Sequence, residues 1–224
     1  MIAYKAFYEG MKGAGGFRYA LGVTAEGTNL GLGRQGLHAS FDPVFCLNFI
    51  SSDRKGVYAE VDIDGDVDMG GPHAAWDGLD NRHVDCVTGS RLTPLRILSP
   101  EEMALRAVDY RIHRAEKYGI LTKASDTRFG FVQGAGLRCV ALADSDGSEA
   151  TAVGEYASAF ATAPGSRATV VMGSNTLAAA LAPQSYARGP LVLLRDWDDL
   201  TSYRLVRNHT DSYCALRKGK VITL

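Results

Sequence analysis

Residues 141–189 read ALADSDGSE, ATAVGEYAS, AFATAPGSR, ATVVMGSNT, LAAALAPQS and YARG when written in blocks of nine. The first position of each block is Ala141, Ala150, Ala159, Ala168, Leu177 and Tyr186. The third is Ala143, Ala152, Ala161, Val170, Ala179 and Arg188. Turn formers (Gly147, Gly154, Pro164, Gly165, Gly173, Pro183) fall late in the blocks. A nine-residue period of small β-competent residues closed by a tight turn suits one side of a flattened β-solenoid. Two blocks make one coil, and each coil buries its inner face only by stacking on the next. This reading places about two and a half coils in the repeat, with alanine and valine suited to its narrow interior. The competing reading is an Ala-rich helix, above all over Thr176–Ala182. Pro164, Pro183 and the regular glycines oppose it, because they break helices.

An alanine-lined interior is thin. Burial yields roughly 25 cal/mol per Å² of apolar surface, and alanine offers little of it. So short a stack gains from packing against the N-terminal part or against copies of itself. Between 150 and 187 the only charges are Glu155 and Arg167, so its outer face is suited to contact. The chain is therefore expected to be a homo-oligomer. Tyr156, Arg167 and Tyr186 are its candidate interaction residues.

Working outward, residues 190–224 return to ordinary patterning. Pro190–Leu194, Tyr203–Arg207, Tyr213–Leu216 and Val221–Leu224 read as strands, with Lys218-Gly219-Lys220 as a hairpin turn. They would form a small antiparallel sheet capping the repeat. Upstream, Ser99, Pro100, Glu101 and Glu102 spell a helix start with a capping box. Leu105, Val108, Ile112 and Ala115 follow at helical spacing and Gly119 closes it, giving a helix over 100–118. Arg106, Arg111 and Arg114 are placed on its solvated face.

Residues 1–98 read as an α+β domain. Strands are expected at Ile2–Tyr8, Gly16–Gly22, Val57–Ile63 and Leu95–Leu98, and a short helix from Asp42-Pro43 to Ile50. Asp62-Ile-Asp64-Gly65-Asp66 lacks the full calcium-loop spacing and reads as a strand ending in an Asp-Gly turn. The organisation is thus an α+β domain (1–98), a linking helix (99–119), a β-solenoid-like repeat (120–189) and capping strands (190–224).

Composition narrows the function classes. The 224 residues carry a net charge of −1 and are 46% hydrophobic and 22% charged. That balance argues for a folded chain and against a nucleic-acid-binding face. No run approaches a membrane span. The charges near Met1 do not suit a signal peptide, so a cytoplasmic location is expected, unless the resemblance given below places the chain in a virion. Cys46, Cys86, Cys139 and Cys214 show no zinc spacing and read as reduced thiols, with two disulfides as the alternative. His38, His73, His83, His113 and His209 form no ligand pattern, so no metal is expected.

Two resemblances add expectations. Tyr4-Lys-Ala-Phe7, Phe17-Arg-Tyr-Ala-Leu-Gly22 and Gly36-Leu-His-Ala-Ser-Phe-Asp-Pro43 resemble a family found in bacterial and phage genomes. There a GFHAS-type motif precedes a proline-started helix and an Ala/Ser/Gly-rich repeat. The family brings no activity with it, but implies a phage setting. Leu37-His-Ala-Ser40, the helix after it and Val57–Ile63 are similar to the middle of the ADP-ribosyltransferase fold. That resemblance implies His38 and Ser40 as site residues, Glu60 as a positional stand-in for the catalytic acid, and NAD as cofactor. Lys5 stands where that fold has Arg or His, and no late ExE or QxE motif follows.

Read from the residues, His38 is a hydrogen-bonded structural histidine or a ligand-orienting one, Ser40 and Asp42 cap the coming helix, and no GxSxG is present. The leading expectation is a non-enzymatic structural or interaction protein, self-associating, with no cofactor, a virion or accessory component meeting itself and other virion or host proteins. The alternative is an ADP-ribosyltransferase-like enzyme or a decayed NAD-binding relative.

Overall fold

The computed structural model describes residues 1–28, 36–50, 55–69, 85–126, 130–171, 173, 175–208 and 211–224. His73, His83 and His209, together with Met172 and Ser174 of the repeat, lie outside the described residues. The chain divides into two compact units, Met1–Met103 and Ala104–Leu224.

The first unit holds β1 (Ile2–Tyr8), β2 (Ala25–Glu26), β3 (Leu37–Ser40), α1 (Pro43–Phe49), β4 (Gly56–Asp68) and β5 (Cys86–Leu98). All its strand pairs are antiparallel. β4 and β5 form a long hairpin, Tyr58 opposite Leu98 and Asp68 opposite Thr88. The far edge of β5 takes β3 and β2, while β1 runs along β4 and meets β3 at Tyr4 and Ser40. The strands therefore close as β1–β3–β5–β4–β1. Alternation sends Ala3, Phe7, Ala59, Val61, Ile63, Val87 and Leu92 into a common core. Asp42 caps α1 as expected, its carboxylate accepting from the Val44 N–H at 3.0 Å.

Several expectations need correcting. Gly16–Gly22 forms no strand; only Arg18 makes an isolated bridge, to Lys12. Val57–Ile63 and Leu95–Leu98 are parts of two 13-residue strands. Asp64-Gly65 marks a register shift inside β4, not its end. His38 lies on β3, a strand absent from those expected from local pattern. These are long-range pairing effects that local patterns do not encode.

α2 (Pro100–Tyr118) begins as its sequence dictates. The Ser99 N–H donates to Glu102 Oε2 at 2.8 Å, and the Glu102 N–H to Ser99 Oγ at 3.1 Å. Arg111 is not on a solvated face. It is buried and donates to Ser158 Oγ and the Asn175 carbonyl.

The second unit is a parallel β-solenoid. One sheet runs β6 (Leu121–Lys123), β8 (Val140–Ala143), β10 (Ser158–Ala161), β12 (Leu177–Ala180) and β14 (Leu191–Arg195). The other runs β7 (Phe131–Ala135), β9 (Glu149–Val153), β11 (Arg167–Val170) and β13 (Tyr186–Arg188). The stack has about four coils over 121–194, not two and a half. The coil of β6 and β7 precedes the visible repeat, and β14 extends it. Ala141, Ala143, Ala150, Ala152, Ala159, Ala161, Ala168 and Val170, at the first and third block positions, point inward and fill the narrow interior.

Past Val170 the frame shifts. Ala159 pairs with Ala141, 18 residues back, but with Ala178, 19 residues on. Ala178, Ala180 and Ala187 are the inward residues there, one place later in their blocks than the inward alanines of the earlier coils. The extra residue falls between Val170, which pairs with Ala152, and Gly173, which stacks on Gly154.

Each coil turns at two tight corners. At one, Gly147, Gly165 and Gln184 hold positive φ, and Pro164 and Pro183 precede the last two. This is the chemistry of a type II turn. The buried serines that follow, Ser148, Ser166 and Ser185, stack one coil apart. The Ser166 and Ser185 hydroxyls donate to the Ala163 and Ala182 carbonyls.

The cap is split between the two sheets. β15 (Tyr203–Arg207) lies antiparallel on β14. β16 (Cys214–Arg217) lies antiparallel on β13, with β17 (Lys220–Thr223) beyond it. Buried Asp196 ties the two parts together. It accepts from the Gly219, Asp198 and Lys218 amides, the first of which does most to hold its carboxyl below the usual range. All four cysteines are free thiols.

Candidate functional site

The first unit carries a cavity of about 610 Å³. That is the size of a small-molecule site. Lys5, His38 and Ser40 line it, with aromatic walls from Phe17, Tyr19, Phe45 and Phe49.

Lys5 shares the inward face of β1 with Ala3 and Phe7. Its Nζ donates to the His38 carbonyl at 2.5 Å and sits 5.7 and 5.6 Å from the Phe7 and Tyr19 ring centres. Burial pulls its pKa down to about 8, and the nearby Cys46 opposes that shift. The amine is thus held where its charge is easily lost.

His38 Nδ1 lies 2.9 Å from the Gly36 carbonyl, which assigns the proton to Nδ1. Its Nε2 is buried and has no hydrogen-bond partner. Burial lowers its pKa, the Lys5 charge adds to this, and the Gly36 bond opposes it. The ring is neutral at pH 7, and Nε2 presents a bare acceptor.

Ser40 is occupied by the backbone. Its Oγ donates toward the Asp42 and Asp85 carbonyls and accepts the Asp42 N–H, each at 3.1 Å. Cys46 is buried and its thiol donates to the Tyr4 carbonyl at 3.3 Å. Burial drives its pKa far up, so it is no nucleophile. Glu60 sits outside the cavity lining, on β4, 3.6 Å from Arg96. The fold therefore brings His38 and Ser40 together and leaves Glu60 apart. Among the described residues Glu26 is the one acid on the lining, and none group as metal ligands.

Sequence reasoning noted Lys5 only as a departure from a motif and passed over its place in the cavity. The signal was present: a lysine in an inward slot between Ala3 and Phe7.

On the solenoid, the second sheet places Arg167 directly opposite Tyr186. Arg167 pairs with Glu149 at 2.9 Å, in the next coil. Tyr213 lies beside them, its hydroxyl 2.9 Å from Thr169 Oγ1 and its ring facing the guanidinium groups of Arg167 and Arg188. Tyr186 packs edge-on against Trp197 at 5.4 Å. Tyr156 stands apart at a corner with φ +58°, 4.7 Å from the Arg138 guanidinium. Two of the three proposed interaction residues thus share one row.

No helix among the described residues is long and apolar enough to cross a membrane. No curated protein matches the chain, and no solved structure does. A family profile described as a domain of unknown function (DUF7666) matches residues 1–74, a span that holds the cavity lining apart from Cys86.

Proposed function

We propose that the protein is a non-enzymatic structural or interaction protein that self-associates through the outward face of the β7–β9–β11–β13 sheet. One contrast carries this reading. The outward residues of the other solenoid sheet, Leu142, Phe160, Ala179 and Leu193, are buried. On the second sheet Tyr213 covers Thr169 and Trp197 packs on Tyr186, but Phe131 and Val171 stay about half exposed near the Arg167–Tyr186 row. An apolar patch beside paired arginines and tyrosines has the composition of a protein interface. A virion or accessory setting, with other virion or host proteins as further partners, rests on the resemblance of Gly36–Pro43 alone.

Light scattering of the full chain tests this. A concentration-dependent oligomer that Phe131→Asp or Arg167→Glu returns to monomer supports the proposal. A monomer at every concentration, or an oligomer indifferent to both changes, sinks it.

The ADP-ribosyltransferase-like alternative draws less support. An oxocarbenium-like transition state needs a placed carboxylate, and Glu60 is spent on Arg96 outside the cavity. It requires a thermal shift with millimolar NAD.

A further inference from the structure

We propose that the cavity of the N-terminal unit binds a small aromatic carboxylate, with the Lys5 ammonium as its counter-ion. This does not depend on the solenoid's role.

The argument begins with unmet groups. An ammonium has three N–H donors. Lys5 spends one on the His38 carbonyl, and its other neighbours are the Phe7 and Tyr19 rings. His38 Nε2 is a buried polar atom with no hydrogen-bond partner at all. Buried polar atoms left bare are costly, and where they line a cavity they mark the place of a ligand.

The ligand's chemistry follows from the walls. Phe17, Tyr19, Phe45 and Phe49 favour a flat apolar body. Lys5 is the one cation on the lining among the described residues. It matches a monoanion. A phosphate would bring about two negative charges, with no arginine on the lining among the described residues to receive the second and the α1 N-terminus already capped by Asp42. A cationic ligand would meet the Lys5 charge with only Glu26 on the lining to offset it, and a neutral hydrocarbon would leave the Lys5 N–H groups unpaired.

The test uses the full chain and three probes of one shape: benzoate, benzamide and benzylamine. Ligand-observed NMR and calorimetry at pH 7 give the order. Benzoate should bind about tenfold more tightly than benzamide, and benzylamine should not bind. Lys5→Met should erase the preference for benzoate. A pH series with Lys5 in place gives an independent readout should that variant fail to fold. The titratable groups on the lining with Lys5 are Tyr4, Tyr19, Glu26, His38, Cys46 and Cys86. His38 titrates below its usual range and Tyr19 and Cys46 above theirs, and the series is run on Cys86→Ser so that the Lys5 amine is the group that changes charge near pH 8. Benzoate affinity should hold up to that pH and then fall as the amine deprotonates. Absence of benzoate binding, equal binding of benzamide, a folded Lys5→Met chain that binds benzoate unchanged, or a flat pH profile would each overturn the proposal.

Discussion

Arg111 on α2 donates from Nη1 to the hydroxyl of Ser158 on β10 at 2.8 Å. Its Nη2 reaches the Asn175 carbonyl at 2.7 Å. One guanidinium thus ties the helix to a strand and to a coil corner. Arg111→Leu removes the charge and leaves those acceptors short of a donor. The variant should lose about 2–3 kcal/mol, read from urea unfolding. A loss near zero would mean that water replaces the guanidinium at no cost.

The coils touch through backbone. Gly154 has φ +138°, and a β-carbon on it would lie 2.4 Å from the Gly136 carbonyl oxygen. Gly147 also has positive φ, but a β-carbon there meets nothing within 4 Å. Gly154→Ala should therefore cost more than about 3 kcal/mol, while Gly147→Ala costs only about 1–2 kcal/mol of backbone strain. Equal losses would contradict the tight stacking of coils at this corner.

The interior admits no charge. Ala159 and Ala168 are fully buried in the alanine core. Ala159→Glu or Ala168→Lys puts an unpaired ion there, which costs several kcal/mol at least. Loss of soluble, folded protein is expected, scored by yield and circular dichroism. Val153→Lys, on the outward side of β9, is the control and should stay folded. A soluble Ala159→Glu chain with an unchanged spectrum would be incompatible with this core.

Lys5 gives stability a pH dependence. Its folded pKa, about 8, lies below its ordinary 10.5. The unfolded chain therefore holds more protons at this site between those values, and stability rises with pH there. Below pH 8 both states are protonated and the penalty for burying the charge is constant. Wild type should gain on Lys5→Met as pH rises from about 7.5 to 9, compared in paired urea titrations. A constant gap would show that the amine is not desolvated.

How far the sequence was readable varies by region. The solenoid interior was legible because a narrow coil accepts only small residues at each inner place. Alanine at Ala141, Ala150, Ala159 and Ala168 writes the period directly. The frame was then lost at one inserted residue, since a single-residue slip exchanges the faces of a strand. That is why Ala178 and Ala187, and not the block-leading Leu177 and Tyr186, face the interior. In the N-terminal unit, Val57–Ile63 was clear from alternation. Leu37–Ser40 was missed because four residues carry too little pattern.

The sequence by itself determined the elements whose causes are local. The capping box of Ser99 and Glu102, the Asp42 cap, the proline-glycine corners and the small-residue core all act within a few residues or within one coil. Only the tertiary structure decided what depends on distant partners. β5 joins β4, β3 and β2, and so closes the strands into a ring. That folding places the Lys5 amine on the His38 carbonyl and buries both beside a cavity. It also turns Arg111 from a surface charge into a bridge to Ser158 and Asn175. The physical reason is the same in each case: desolvation and hydrogen bonding are set by which strands lie side by side, and no local pattern specifies that.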